Sequence, residues 1–523
     1  MFAMLTKIAK WALYLLSLAL IINTLSHTFD GDLGWHLRFG AEITQGTFPY
    51  TDTYTWTFFG HNWTNHEWAG DILYWTLYNN LGYGALIAFT GLAVWLALIL
   101  NIKNFSNNNP TIGAAVTVVL ALALNFILTV RLAMLSALFF VLIILTLEKI
   151  EKKGYWYWPI IFWLWAAVHG SWILGFIIIS IYLFSYLFAK IIPPRYAFLV
   201  GKKMLWDNAT WWKVLGATAL SALVIIINPY GIKIWTEIIH YFSEGYFKLY
   251  VTEWLPSYTY PIYPWPLILG AIALVFIVWG HFKKKVTLAQ TLLFLAIFYA
   301  TLKHKRNNLY LLVLLAPILT SIVTLMSEQI KGHSKKLFTK IFSTLIIIGA
   351  ITTTIFQIKN IDWTQNPFTN SPLLTRYGFP QTAVNFLKQD NKKEDVKIFN
   401  EFWWGGYLNF VMPEAKVFLD GRGTATWRLN NTETLLGAYR RIKFEVGGLE
   451  ELEKNQVEYI IINRNFSGYG QANKFNDLLF HQDLEEIFSL PEPHLVAKLN
   501  RSKNWQMIYQ DGVALIWKNL TVR

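Results

Sequence analysis

The chain has 523 residues, of which 54% are hydrophobic and only 15% are charged, and its mean hydropathy is +0.35. A soluble enzyme carries about 25% charged residues, so this composition excludes a soluble globular protein and indicates a polytopic α-helical membrane protein. The absence of cysteine excludes disulfides and thiolate sites, and the net charge of +13 does not indicate nucleic acid, because the basic residues lie mainly in short loops between apolar runs.

Apolar runs recur along the first 357 residues, and a run of about 20 residues spans the hydrocarbon core as a helix. The first run follows Lys7 and Lys10 and has no small-residue cleavage site after it, so we expect a retained helix with a cytoplasmic N-terminus. The predicted spans, about eleven in all, are 8–26, 82–102, 111–130, 132–147, 156–169, 172–192, 213–229, 265–281, 286–302, 309–326 and 337–357. An odd number places the C-terminus outside.

Most loops that this topology places inside are rich in lysine, namely those at 149–153, 195–203, 283–285 and 331–336. They follow the positive-inside pattern. Arg131 and the run Lys303–Arg306 break it, because both lie on the predicted outer side. An anionic ligand at the outer membrane surface explains such cations. The alternative is that these cations lie at helix ends and snorkel to the membrane–water interface.

The first outer loop, at about 29–80, is too long and too polar for a passive connector. It interleaves six polar residues with aromatic residues that suit the headgroup level, namely Asp30, Asp32, His36, Asp52, His66 and Glu67. Carboxylates and imidazoles beside a membrane are typical of a reaction site. The loop also offers ligands for Mg²⁺ or Mn²⁺, with Asp30, Asp32 and His66 as the candidate set and Glu67 as an alternative ligand.

A second outer loop, at about 230–263, follows a helix break at Asn228 and contains Glu253. It could close over the first loop. His169 ends the fifth predicted span on the same side, where a histidine is either structural or part of a site. All of these off-pattern polar groups lie on one side of the membrane in the predicted topology, which favours a site there.

From about residue 358 the charges become frequent and no run is long enough to span a membrane. We therefore expect a transmembrane domain at 1–357 and a soluble extracytoplasmic domain at 358–523. The segment TAVNFLKQD has helical periodicity, whereas VKIFN, KVFLDGR, VEYIIINR and WQMIYQDGVALIWK predict strands and a final hairpin, which together indicate an α/β domain. Asp420 and Arg422 in FLDGR are either a buried structural ion pair or acceptor-binding residues.

Seven motifs in order resemble a known family over nearly the whole chain: DLGWHLRFG through HEWAGDILYW, RLAMLS, WAAVHGSWILG, NPYGIKIW with TEW, KRNN, WWGGYL and VFLDGR. They resemble those of the GT-C superfamily of integral-membrane glycosyltransferases, in a prokaryotic branch distantly like oligosaccharyltransferase catalytic subunits. The resemblance implies a GT-C-like transmembrane fold in the cell membrane. It also implies a polyprenyl-phosphate or polyprenyl-pyrophosphate sugar as donor and a glycan, lipid or protein as acceptor.

In this family an acidic residue of the first outer loop serves the reaction, which assigns the role of base to Asp32, with Asp30 and Glu67 as neighbouring candidates. Displacing a lipid phosphate from an anomeric carbon requires a carboxylate to accept the proton of the acceptor hydroxyl, and cations to stabilise the leaving phosphate. The implied substrate-binding residues are His36, His66, Arg131, His169, Asn228, Glu253, Lys305, Arg306 and Asn307.

Two departures limit the resemblance. EFWWGGYL is partly similar to the WWDYG element of oligosaccharyltransferases, but Gly405 and Gly406 stand where that element has an acid and an aromatic residue. Transfer of a single sugar is therefore favoured over transfer of an oligosaccharide to an asparagine sequon. At Arg131 the next residue is Leu132, where proline is common among relatives.

Two other functions remain open. A surface-polysaccharide polymerase or ligase shares the spans and the outer loops, but is expected to rely on arginine and histidine, so Asp32 discriminates against it. A transporter of lipid-linked saccharides predicts charges throughout the membrane depth and internal repetition, and the sequence shows neither.

Overall fold

The computed structural model has a mostly helical N-terminal part followed by a C-terminal α/β sheet domain. The structure describes all residues except 1, 106–109, 205, 260–261, 329–333, 362, 364–365, 370–373, 375–377, 392, 424–425, 430–431, 465–492 and 523, and describes no side chains at 2–3, 5, 103–105, 328 and 334–346. The lysines predicted to lie inside at 331–336 therefore fall outside the described side chains.

Eleven helices coincide with the eleven predicted apolar runs, and three further helices, α2, α3 and α10, lie in the predicted outer loops. The bounds are α1 Phe2–Ser26, α2 Leu33–Thr44, α3 Trp68–Leu81, α4 Tyr83–Phe105, α5 Pro110–Ala123, α6 Ser136–Glu148, α7 Trp158–Val168, α8 Ile173–Ile191, α9 Asn208–Val224, α10 Lys233–Ser243, α11 Pro264–Phe282, α12 Leu288–Lys303, α13 Asn308–Glu328 and α14 Ser334–Lys359.

Among the described residues, five segments are long and apolar enough to cross a membrane: Thr6–Ser26, Tyr83–Ile102, Gly170–Ile191, Pro264–Phe282 and Lys305–Ser327. The protein is thus a helical membrane protein. Other helices of the bundle are shorter, such as α6 with 13 residues and α7 with 11. The number of about eleven spans stays a prediction.

Local signals fix several helix ends. Proline stands in the first turn of α7 and α11, where its missing N–H is not needed. Thr287 and Gln290 form a reciprocal capping box at the start of α12. These signals set where α7, α11 and α12 begin.

The described residues of the C-terminal part form five helices, α15 Gln381–Asp390, α16 Gly405–Val411, α17 Leu435–Phe444, α18 Gly448–Lys454 and α19 His494–Leu499. Its strands are β1 Val396–Asn400, β2 Ala415–Val417, β3 Arg428–Leu429, β4 Glu433–Thr434, β5 Tyr459–Asn463, β6 Trp505–Gln510 and β7 Ala514–Asn519. The main sheet has the order β2-β1-β5-β7-β6, in which β1 pairs parallel with β2 and β5, and β7 pairs antiparallel with β5 and β6. The predicted helix, strands and final hairpin are confirmed.

The first outer loop extends this sheet at its β2 edge. The backbone N–H of Trp56 donates to Val417 O at 3.1 Å, and Val417 N–H donates to Tyr54 O at 3.1 Å. The indole of Trp56 also donates to Ile398 O at 3.1 Å. The loop and the C-terminal sheet are therefore joined by main-chain hydrogen bonds, so that the α/β domain lies directly against the predicted site.

Candidate functional site

Arg131 lies at the centre of a cluster of carboxylates at one end of the helical bundle. Its Nη2 is 3.0 Å from Asp32 Oδ2, and its Nη1 is 3.0 Å from Glu253 Oε2 and 3.6 Å from Asp30 Oδ2. These four residues come from three separate parts of the chain. The side chains remain 17 to 31% exposed. The cluster is thus open enough to meet a substrate.

The short turn before α2 orients the two aspartates. The backbone N–H of Asp32 donates to Asp30 Oδ1 at 3.0 Å, and Asp30 O accepts from Leu33 N at the start of the helix. Burial raises the pKa of Asp32 to about 7, although Arg131 lowers it. A carboxyl group that titrates near neutral pH is suited to accepting a proton in a reaction.

A second guanidinium borders the cluster. Arg306, at the start of the segment that leads into α13, lies 4.2 Å from the ring centre of Trp254 and 3.8 Å from Glu253 Oε1. Burial opposes the ionisation of Glu253, but Arg131 and Arg306 outweigh it and hold its pKa below the usual value. Glu253 thus binds both arginines and places two cations side by side.

Below this cluster, a chain of polar side chains leads into the protein. His36 Nδ1 is 2.5 Å from Asp71 Oδ1, and Asn65 donates to the other oxygen of Asp71 at 2.5 Å. Glu67 lies between two histidines. Its Oε2 is 3.6 Å from His36 Nε2, and its Oε1 is 3.6 Å from His169 Nε2. His36 follows Asp32 by one helical turn, so the chain begins directly behind the aspartate.

The charge states of this chain follow from burial. Burial raises the pKa of Glu67 to about 7, while His36 lowers it. Burial lowers the pKa of His36 and of His66 to about 4. The imidazoles are therefore neutral at pH 7, and Glu67 is the group that titrates there.

His169 has a fixed orientation. Its Nδ1 accepts from the backbone N–H of Ser171 at 3.2 Å and lies 3.0 Å from the hydroxyl of Ser136. With Nδ1 accepting, Nε2 carries the proton and points to Glu67. His66 reaches the same carboxylate at 3.9 Å.

The C-terminal domain forms one wall of the site through glycines. A Cβ atom added at Gly421 would lie 2.1 Å from Asp32 Oδ1, one at Gly406 would lie 2.5 Å from Gly31 O, and one at Gly34 would lie 2.1 Å from Gly406 O. Helix α16 and the turn after β2 therefore approach the start of α2 at backbone distance. Only glycine permits this approach.

The turn that carries Gly421 is held by the predicted ion pair of Asp420 and Arg422. Arg422 Nη2 is 2.6 Å from Asp420 Oδ2 and 2.8 Å from Asp52 Oδ1, and all three side chains are at most 1% exposed. Its guanidinium also lies 4.3 Å from the ring centre of Tyr54 and 4.4 Å from that of Trp63. The structural interpretation of this pair is confirmed.

Three predicted binding residues have other contacts. The amide of Asn228 donates to the backbone oxygens of Ile225 and Gly231 at 2.7 and 2.9 Å, and that of Asn307 donates to Ala300 O at 2.9 Å. Both amides therefore stabilise helix ends. Lys305 is buried, and its backbone N–H donates to Leu255 O. Their roles in binding stay predictions.

The residues predicted as metal ligands do not form a metal site in this arrangement. Among the described residues, no three His, Asp or Glu side chains converge as ligands. Asp30 and Asp32 both face the Arg131 guanidinium, whereas His66 faces Glu67. A cation therefore already lies where Mg²⁺ or Mn²⁺ was expected. A metal held by Asp30, Asp32 and His66 stays a prediction, and the proposed reaction uses none.

Sequence reasoning missed Asp71 and Gly421. Asp71 follows Glu67 by four residues on the same face of α3, a spacing that the sequence displays. Gly421 is brought to Asp32 only by the pairing of the outer loop with the sheet, and no local pattern shows that contact.

No protein-family model and no curated protein matches the sequence. Solved structures of similar fold include the archaeal oligosaccharyltransferase AglB from Archaeoglobus fulgidus in complex with an inhibitory peptide and a dolichol-phosphate, at 12% identity and a TM-score of 0.50, over 87% of this chain and 69% of that one. The apo form of the Archaeoglobus fulgidus enzyme matches at 12% identity and a TM-score of 0.49, over the same shares. The first of these likenesses shows that the chain has a fold distantly similar to that of the archaeal oligosaccharyltransferase.

Proposed function

We propose that the chain is a membrane glycosyltransferase that moves a hexosyl or pentosyl unit from a polyprenyl-phosphate-linked donor to an acceptor at the outer membrane face. The observation that carries this proposal is the pairing of Asp32 with Arg131 in a partly exposed cluster, with Arg306 beside it. This cluster combines a carboxylate that titrates near pH 7 with cations that suit a phosphate.

In the proposed reaction, the oxygen of the acceptor hydroxyl attacks the anomeric carbon of the donor sugar. Asp32 takes the proton of that hydroxyl. The bond between the anomeric carbon and the phosphate oxygen breaks, and its electron pair leaves with the polyprenyl phosphate. Arg306 and Arg131 stabilise the charge of the leaving phosphate, which is the largest electrostatic demand of the step.

Glu67 supports the reaction from behind. It is buried between His36 and His169, whose rings are held by Asp71 and Ser171. We assign to Glu67 the role of holding α2, and hence Asp32, in place, and it is the second candidate for the base. A lipid-linked donor enters sideways from the bilayer. A site at the membrane surface therefore suits this substrate.

Transfer of an oligosaccharide to protein is the second candidate, favoured by the fold of the archaeal enzyme whose structure holds a peptide and dolichol-phosphate. Gly405 and Gly406 argue against it. A Cβ atom at Gly405 would lie 2.1 Å from Leu419 O, and one at Gly406 would lie 2.5 Å from Gly31 O. Side chains at these two positions have no room, so this segment packs the domain instead of reading a sequon.

The remaining predictions belong to the same proposal. We propose about eleven spans in the cytoplasmic membrane, a cytoplasmic N-terminus, and a division into 1–357 and an outer domain at 358–523. A glycan, a lipid or a protein as acceptor fits the open cluster. A polysaccharide polymerase or ligase and a lipid-linked saccharide transporter are the competing functions.

The test is sugar transfer from a panel of polyprenyl-phosphate sugars in reconstituted membranes, with the wild type compared with Asp32→Asn at matched folding. General bases contribute about 10² to 10⁴ in rate, so we expect release of polyprenyl phosphate to fall at least about a hundredfold. Asp395→Asn is the matched control, because Asp395 is 76% exposed in the C-terminal domain.

Equal turnover by Asp32→Asn and the wild type would reject Asp32 as the base and direct the search to Asp30, Glu67 and Glu253. If no donor is turned over while a lipid-linked saccharide crosses the bilayer, the transporter function replaces the proposal.

A further inference from the structure

A cavity lies at the end of the bundle opposite to the candidate site. Helix α6 begins five residues after Arg131 and ends at Glu148, which lines this cavity. Thirteen helical residues extend about 20 Å. The cavity has a volume of about 550 Å³, and none of the residues assigned to the reaction lines it.

The mouth of this cavity is basic. Lys202, Lys203 and Lys285 line it and are exposed, whereas the acidic lining residues are Glu148 and Glu151. Within the described part of the chain, none of the three lysines lies within ion-pair distance of a carboxylate. Lys285 lies 4.8 Å from the ring centre of Trp279, and the charge of Lys202 acts on Glu148 without a direct ion pair. Their positive charge is therefore not neutralised by a direct ion pair and attracts an anionic group.

The two loops that carry these lysines are joined to each other. The backbone N–H of Lys202 donates to Val286 O at 2.8 Å. Gly201, with φ of +66°, allows this approach, because a Cβ atom there would lie 2.4 Å from Val286 O. Thr287 then caps α12. The basic mouth is thus a built part of the fold and does not depend on flexible side chains alone.

The interior of the cavity is amphipathic. Glu148 accepts hydrogen bonds from Tyr182 and from Gln290, the latter at 2.9 Å, which places a polar group inside the bundle. Most of the remaining wall is apolar and comes mainly from α11 and α13, with Phe276, Ile277, Leu314, Pro317 and Ile318. Such a cavity matches the three parts of a membrane lipid, namely a charged headgroup, a polar neck and an acyl chain.

We propose that this cavity binds an anionic membrane phospholipid, with its phosphate at Lys202, Lys203 and Lys285 and the start of an acyl chain on the apolar wall. Basic pockets between transmembrane helices bind anionic lipid headgroups. The volume of about 550 Å³ exceeds what a phosphate ion alone requires. This lipid site is separate from the site of the sugar donor, because the donor phosphate is assigned to the other end of the bundle.

The experiment titrates the full chain, purified in detergent and stripped of lipid, with phosphatidylglycerol, phosphatidylcholine or inorganic phosphate. Bound lipid is counted by native mass spectrometry. The test variant combines Lys202→Gln, Lys203→Gln and Lys285→Gln. The matched control combines Lys149→Gln, Lys152→Gln and Lys153→Gln, which removes three lysines at the same end of the bundle that do not line the cavity.

Each lysine near a lipid surface contributes about 1 kcal/mol, so we expect the test variant to bind phosphatidylglycerol at least about tenfold more weakly. The control variant should bind like the wild type, and phosphatidylcholine should bind weakly to all. A second variant, Ile318→Trp, fills the cavity without changing its charge and should also lose the lipid.

Equal binding by the test and control variants would overturn the proposal, as would equal binding of the two lipids. Saturation by inorganic phosphate, with no additional affinity for phosphatidylglycerol, would identify a phosphate site instead of a lipid site. Unchanged binding by Ile318→Trp would place the lipid outside the cavity.

Discussion

Two arginine clusters lie close to each other in this protein and differ in solvent access. Arg422 and its partners Asp52 and Asp420 are at most 1% exposed, with contacts of 2.6 to 2.8 Å and aromatic rings around the guanidinium. Arg131 and its partners Asp30, Asp32 and Glu253 are 17 to 31% exposed, with contacts of 3.0 to 3.6 Å.

The difference shows how one pair of residue types can serve two purposes. A sealed ion pair with short contacts fixes a turn, since removing one partner leaves an unpaired buried charge. An open cluster with longer contacts can exchange a partner for a substrate. Gly421 connects the two, because it follows Asp420 in the sealed cluster and lies against Asp32 in the open one.

The largest expected effect is on stability. Arg422→Met leaves Asp420 and Asp52 buried without their cation, so we expect the free energy of unfolding to fall by about 3–5 kcal/mol. A thermal melt of the purified protein measures this. Arg441→Met is the control, because Arg441 also binds two carboxylates but is 34% exposed, and its effect should be below about 1 kcal/mol. If both variants melt at the same temperature, the sealed ion pair stabilises the fold no more than the exposed ion pair does, and the comparison fails.

The next effect is on rate. Gly421→Ala places a Cβ atom 2.1 Å from Asp32 Oδ1, so the carboxylate must move. A displacement of about 1 Å at a reacting group costs about a hundredfold, which we expect in kcat/KM for sugar transfer. Gly512→Ala is the control, since a Cβ atom there meets nothing within 4 Å. Full activity of Gly421→Ala would show that Asp32 is not positioned by the C-terminal domain.

Arg131→Lys keeps the charge of the open cluster and removes its fork geometry. A lysine cannot bridge Asp32 and Glu253 as the guanidinium does. A hydrogen bond to a charged group contributes about 1.5–3 kcal/mol, so we expect kcat/KM to fall about tenfold to a hundredfold, while the melting temperature stays near that of the wild type. A large loss of stability with normal turnover would make Arg131 a structural residue like Arg422.

The smallest effect concerns pH. Since burial raises the pKa of Asp32 to about 7, the proposed base is mostly ionised only above that pH, and we expect kcat/KM to rise through about pH 7 and then to level off. Arg131 lowers this pKa, so Arg131→Gln should move the rise to higher pH.

Glu67 also titrates at about pH 7, and Glu67→Gln separates the two groups. If the rise in kcat/KM disappears in that variant, Glu67 and not Asp32 is the base.

The raised pKa of Asp32 means that the folded state binds its proton more tightly than the unfolded state does. Its ionisation therefore lowers stability as the pH rises from about 4 to about 7.

The recurring apolar runs were sufficient to predict the helical bundle, because a segment that spans the hydrocarbon core forms an apolar helix. All eleven predicted runs contain a helix. The helices α2 and α3 were not predicted, since they are short and lie among aromatic and polar residues in an outer loop. The strands of the C-terminal domain were visible as short apolar runs between turns.

For the site, the misplaced cations were the most useful signal. Arg131 and Arg306 stood out against the orientation pattern, and both lie in the cluster with Asp32 and Glu253. The sequence could not show that the guanidinium of Arg131 contacts both aspartates that were predicted as metal ligands. The contact of Gly421 with Asp32 joins positions far apart in sequence, so only the folded chain displays it.

The central claim is that the open cluster performs the chemistry and the sealed cluster maintains the fold. The most direct measurement compares Asp32→Asn with Asp420→Asn for both turnover per folded molecule and melting temperature. We expect Asp32→Asn to lose at least about a hundredfold in turnover at a normal melting temperature, and Asp420→Asn to melt at a clearly lower temperature. Near-normal turnover by Asp32→Asn, together with an unchanged melting temperature for Asp420→Asn, would contradict the claim.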